Sequence, residues 1–143
     1  MKIIKYLFFQ SLVFAFLLSG FNVFAADQSI CRSGEKISLY DNGSLHTCRL
    51  KNDYQVNSIK CKGNDPIDFD NNDTLKSCVL AETTSIGMLK CKGNAPIHFY
   101  NKDHLESCML AESTSIGMVQ CQQNGLISFF MDGNLKSCVK PNK

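Results

Sequence analysis

The sequence has no Gly-x-Ser-x-Gly serine, no phosphate-cradling glycine loop and no His-Glu-x-x-His pair, the common marks of serine hydrolysis, nucleotide binding and zinc proteolysis. It also lacks Cys-x-x-Cys, the close spacing that brings two thiolates to one zinc ion or builds a thiol–disulfide exchange site. No Pro-rich, Gly/Ser-rich or strongly charged stretch interrupts the chain, so no linker divides it. An excess of one charge is missing too, since 15 Lys plus Arg stand against 13 Asp plus Glu. Two of the lysines lie in the N-terminal leader, and the rest are spread two or three per repeat, which argues against nucleic acid as a partner. Long three-four periodicity is absent, while Gly and β-branched residues recur where a helix would need continuity. These absences predict an all-β, non-catalytic protein without a cofactor.

Lys2 and Lys5 precede an apolar run from Tyr6 to Phe24 broken by Gln10, Ser11, Ser19, Gly20 and Asn22. This is the pattern of a secretory signal peptide over residues 1–25, with Val23 and Ala25 as the small residues before a cut after Ala25. Cleavage after Ala26 is the neighbouring alternative, and an uncleaved segment would be the chain's one route to a membrane. Cys31 lies beyond the apolar run without a small residue before it, which argues against lipid attachment.

Residues 26–143 form one domain of four copies. Cys31, Cys61, Cys91 and Cys121 recur every thirty residues, and Cys48, Cys78, Cys108 and Cys138 follow each by seventeen. A fixed period of this size marks a repeat array in which each copy buries its apolar face against its neighbours. Residues 61–90 and 91–120 match at twenty of thirty positions, and the outer copies differ more, as caps of an array should.

In register, the copies align Ile37, Ile67, Ile97 and Ile127, then Leu39, Phe69, Phe99 and Phe129, then Leu45, Leu75, Leu105 and Leu135. The Ile-x-Leu/Phe spacing has period two, so these are strands with one apolar face. Between them lie Asp41-Asn42-Gly43, Asn71-Asn72-Asp73, Asn101-Lys102-Asp103 and Met131-Asp132-Gly133, types that suit tight hairpin turns. The Thr-Ser pairs of Ala81-Glu82-Thr83-Thr84-Ser85 and Ala111-Glu112-Ser113-Thr114-Ser115 suggest a second reversal. The expected unit is three short antiparallel strands, repeated as a meander or solenoid and stapled by disulfides.

With a leader that directs export, eight regularly spaced cysteines read as four bridges. Two pairings fit. Bridging inside each Cys-x16-Cys unit leaves nothing over; alternatively, a hairpin turning at Thr114-Ser115 would set Cys108 opposite Cys121 and Cys78 opposite Cys91, stranding Cys31 and Cys138 unless the array closes. Either choice closes loops worth about 3 kcal/mol each in the chain-entropy account.

The segment Ile-x-Phe-Tyr/Phe-x-x-Gly/Asp-x-Leu-x-Ser-Cys, over Ile37 to Cys48, Ile67 to Cys78, Ile97 to Cys108 and Ile127 to Cys138, resembles the hairpin repeat of bacterial MORN-variant (YwqK-like) proteins. The resemblance implies tandem strand–turn–strand units and brings no catalytic residue.

Asp68, Asp70 and Asn72 start like a calcium loop, but Asp73 and Val79 stand where its glycine and closing glutamate belong, so they read as solvated turn residues. His98 and His104 read as exposed strand and turn positions. Phe129, Phe130 and Met131 form an apolar run in the last copy, and alternation forbids Phe129 and Phe130 from sharing a face. Phe130 and Met131 are therefore candidate partner-binding residues. The expected role is an extracytoplasmic binding or structural module whose partner is a protein or an envelope glycan. The alternative is a secreted inhibitor or effector acting on one host or competitor protein.

Overall fold

The computed structural model describes residues 27–102 and 104–142. The leader, the cut after Ala25 and Asp103 of the third turn lie outside the described residues. The described chain is all-β apart from one 3-10 turn, Gln28–Ile30, capped by Asp27.

Eight strands form one open antiparallel sheet: β1 (Ser38–Leu39), β2 (Leu45–Arg49), β5 (Pro66–Phe69), β6 (Leu75–Val79), β9 (Pro96–Asn101), β10 (His104–Met109), β13 (Leu126–Phe129) and β14 (Leu135–Cys138), in that spatial order. The excursions between them fold into three two-stranded hairpins: β3 (Tyr54–Val56) with β4 (Ile59–Cys61), β7 (Thr84–Ile86) with β8 (Leu89–Cys91), and β11 (Thr114–Ile116) with β12 (Val119–Cys121). The hairpins form a second layer on one face of the sheet, and the core lies between the layers. A full unit thus holds four strands, one more than the sequence suggests.

The extra strand comes from a misplaced turn. Thr84-Ser85 and Thr114-Ser115 are extended strand, with Thr84 opposite Cys91 and Thr114 opposite Cys121. The chain reverses at Asn57-Ser58, Gly87-Met88 and Gly117-Met118, where Asn57, Gly87 and Gly117 take φ of 53°, 58° and 59°. Glycine first and an ordinary residue second is the type II′ pattern, whose twist matches that of the strands it joins. β-Branched Thr84 and Thr114 suit the flanking strand instead.

The first, second and fourth sheet turns are as the sequence predicts, whereas in the third copy Asn101 is extended and pairs with His104. Tyr40, Asp70 and Phe130 each donate their N–H to the residue four on, and Gly43, Asp73 and Gly133 have positive φ, as in three-residue loops closed by a left-handed residue. Three residues after the last member of each turn a bulge follows. Phe69 faces Leu75 while Asp68 faces Ser77, so Lys76 is an extra residue; His46, Glu106 and Lys136 hold the same place in the other copies. Without the bulge, Leu75 and Cys78, three residues apart, would point to opposite faces. With it, both point inward.

Two inward rows result. One alternates cysteine and isoleucine across seven strands: Cys48, Ile67, Cys78, Ile97, Cys108, Ile127 and Cys138. The other pairs Phe69 with Leu75, Phe99 with Leu105, and Phe129 with Leu135. Disulfides Cys31–Cys48, Cys61–Cys78, Cys91–Cys108 and Cys121–Cys138 join the inner layer to the sheet inside every unit, each spanning 17 residues. The offset pairing does not occur, because Cys78 lies beside Ile97 in the sheet and Cys91 at the far end of its own hairpin. The sheet stays open, with β1 and β14 as edges.

Neighbouring units approach closely at Gly63 and Gly93. A Cβ on Gly93 would lie 2.8 Å from the backbone of Glu82 and Thr83, so no other residue lets that loop lie against the preceding copy.

Candidate binding face

The hairpins cover one face of the sheet and leave the other open. Side chains on that open face fall into register across strands because the bulges reset the alternation in every copy. Ser38, Thr47, Asp68, Ser77, His98, Ser107, Ser128 and Ser137 are successive cross-strand partners, forming a polar row that crosses all eight strands. All eight are half-buried or exposed. Within the row, Ser77 Oγ donates to Asp68 Oδ2 at 2.6 Å, and the hydroxyls of Ser128 and Ser137 lie 2.7 Å apart.

Beside it runs a row of larger groups at Tyr40, Asp70, Tyr100 and Phe130, the residues that follow Leu39, Phe69, Phe99 and Phe129 just before each turn. Tyr40 donates its hydroxyl to the Phe69 carbonyl at 3.0 Å, and Tyr100 to the Phe129 carbonyl at 3.1 Å. Each bond stretches the phenol across the intervening strand into the next copy, which lays the ring along the sheet. The Tyr40 ring also meets the bulge residue His46 at 4.5 Å between centroids. Phe130 lacks the hydroxyl and is 50% exposed, with the bulge residue Lys136 placed 5.7 Å over its ring. On the other side of the polar row, Val79 pairs with Pro96 and Met109 with Leu126, giving an apolar border.

Asp68, Ser77 and His98 stand side by side, but in the wrong order for serine catalysis. The imidazole must lie between hydroxyl and carboxylate to accept the proton of one while being oriented by the other. Here the serine is in the middle and its proton points to the carboxylate. The calcium-like turn is also accounted for: Asp70 Oδ1 accepts the backbone N–H groups of Asn72 and Thr74, both at 2.9 Å. Among the described residues no group of three His, Cys, Asp or Glu side chains is placed to hold a metal ion.

The residues singled out from the sequence separate accordingly. The eight cysteines line the seam between layers and are held in disulfides. His98 belongs to the polar row, whereas His104 bonds locally to Asn101 at 2.7 Å. Phe130 ends the aromatic row. Met131, 59% exposed, leads the last turn, where the backbone N–H and then the side chain of Asn134 hold the Asp132 carboxylate below its usual range. The hairpin tips expose Met88 and Met118 almost completely. Between the first two hairpins an open furrow of about 260 Å³ is lined by Val56, Ile59, Leu75, Ile86 and Phe99 from the core seam and by polar residues such as Asn57, Ser58 and Lys102 at its rim.

The polar row itself was not foreseen. Its signal was in the chain as the Thr or Ser that precedes the second cysteine of every copy, Thr47, Ser77, Ser107 and Ser137, but only the strand pairing shows that these meet Asp68, His98 and Ser128. No known protein family, characterised protein or solved structure matches the chain.

Proposed function

We propose that the protein is a non-catalytic binding module of an extracytoplasmic compartment, and that its open sheet face takes an extended envelope glycan lying across the strands. One observation carries the reading: a hydroxyl, carboxylate and imidazole row in register over eight strands, flanked by Tyr40, Tyr100 and Phe130. Sugar rings present apolar C–H faces to aromatic rings and hydroxyl edges to polar side chains, the combination this face supplies. Adjacent strands lie about 4.8 Å apart, so the backbones at Tyr100 and Phe130, two strands apart, are separated by about 10 Å, close to the repeat of a β-1,4-linked disaccharide. Four disulfides belong to an oxidising compartment. Export through a cleaved leader over residues 1–25, and kinship with MORN-variant hairpin repeats, are part of the same proposal.

Calorimetric titration with β-1,4-linked oligosaccharides of increasing length tests this reading. Affinity should rise with chain length until the row is filled, and Tyr100→Ala should weaken it roughly tenfold, the loss expected of one stacking contact of about 1.4 kcal/mol. Equal affinity for all lengths, or no effect of Tyr100→Ala, would reject it.

Exposed Phe130 and Met131 favour a second reading, an inhibitor or effector that grips one protein. Met131 lies in the turn, off the polar row, so Met131→Ala separates the readings: it should disturb a protein partner and leave glycan binding unchanged.

A further inference from the structure

Each internal junction of the array uses the same parts. β2 meets β5 through Cys48↔Ile67, β6 meets β9 through Cys78↔Ile97, and β10 meets β13 through Cys108↔Ile127. Two residues past the second cysteine, Leu50, Leu80 and Leu110 are 0%, 0% and 1% exposed. Their N–H groups donate to the carbonyls of Asp65, Ala95 and Gly125, and their carbonyls accept from Asn64, Asn94 and Asn124, all in the next copy. A side-chain ladder adds to this, as Arg32, Lys62 and Lys92 donate to the Oδ1 atoms of the same three asparagines.

At β14 these parts are exchanged. Lys140 stands in the leucine position and Gln122 in the basic position. Pro141 replaces Lys51, Ala81 and Ala111, whose N–H groups bond to Ile30, Lys60 and Lys90, and proline has no N–H to give. Phe130 replaces the tyrosine that bonds across the first and third junctions. The opposite edge keeps its receiving shape: Gly34 has φ of 82° where the asparagines have 57° to 63°, and Ile37 is 37% exposed where its counterparts are at 0%.

We propose that β14 fits the β1 edge of a second copy of this chain and that Lys140 keeps the two apart. Shifting the internal register by one unit sets Ser137 opposite Ser38 and Cys138 opposite Ile37 of the second copy, with Lys140 in the leucine slot. Docking strips water from the ammonium group, the usual way an edge lysine blunts an open strand. Glu35, which holds the place of Asp65, Ala95 and Gly125 at that edge, is already paired with Arg49 at 3.8 Å.

Sedimentation velocity over a concentration series tests the proposal, with intact mass confirming four disulfides in every variant. Wild type should stay monomeric. Lys140→Leu, a change at an exposed site, should at least double the mass as concentration rises, and adding Ile37→Lys should restore the monomer. A monomeric Lys140→Leu, an assembly that survives Ile37→Lys, or a wild type that already assembles would overturn it.

Discussion

Replacing Leu80 with alanine should lower the free energy of unfolding by about 3 kcal/mol, the cost of an uncollapsed cavity at a fully enclosed leucine. Leu80 is 0% exposed, and both its backbone groups are held by the next copy, at Asn94 and Ala95. The site therefore has little freedom to close around the missing side chain. Leu126→Ala gives the comparison: that side chain is half exposed on the open face, so the loss should stay below about 1 kcal/mol. Urea unfolding under oxidising conditions measures both. Equal losses would mean that the Leu80 position is not a packed junction.

Removing the Cys91–Cys108 bridge by a double alanine substitution should cost at least about 3 kcal/mol, from the released loop entropy and two buried side-chain truncations. Both sulfurs lie in the core, where the bridge fastens the β7–β8 hairpin onto β10. A domain of this size has about 5–15 kcal/mol in total, so the loss is a large part of its stability. The terminal Cys121–Cys138 bridge should matter less, since Cys138 is only half-buried and no further copy leans on β14. Thermal unfolding of the two double variants should rank them in that order. The reverse order would contradict a core that is tightest in the middle copies.

Much of this architecture was legible in the chain because each feature rests on local chemistry. The thirty-residue cysteine period, the Ile-x-Phe alternation and the Asn/Asp/Gly turns define the sheet hairpins, and the first, second and fourth turns appear where their residue types predict. The inner hairpins were harder to read. Thr-Ser resembles a turn pair in composition, yet the reversal falls three residues later, where Gly87 and Gly117 accept a left-handed backbone that threonine resists. Bulges at His46, Lys76, Glu106 and Lys136 leave no clear sequence mark, because their residue types differ from copy to copy. They nonetheless decide which side chains face outward. The candidate face was therefore only half legible: Phe130 was visible as an apolar oddity, while the Asp68–Ser77–His98–Ser107 neighbourhood depends on pairings between distant segments.

The central structural claim is that each unit staples its own inner strand to its own sheet strand, which leaves the opposite face open and in register. Non-reducing peptide mapping of the purified, unreduced protein tests it most directly. The account predicts linked peptides for Cys31–Cys48, Cys61–Cys78, Cys91–Cys108 and Cys121–Cys138, with no free thiol. Peptides joining Cys78 to Cys91 and Cys108 to Cys121, or eight free thiols on a chain that retains Met1, would contradict it.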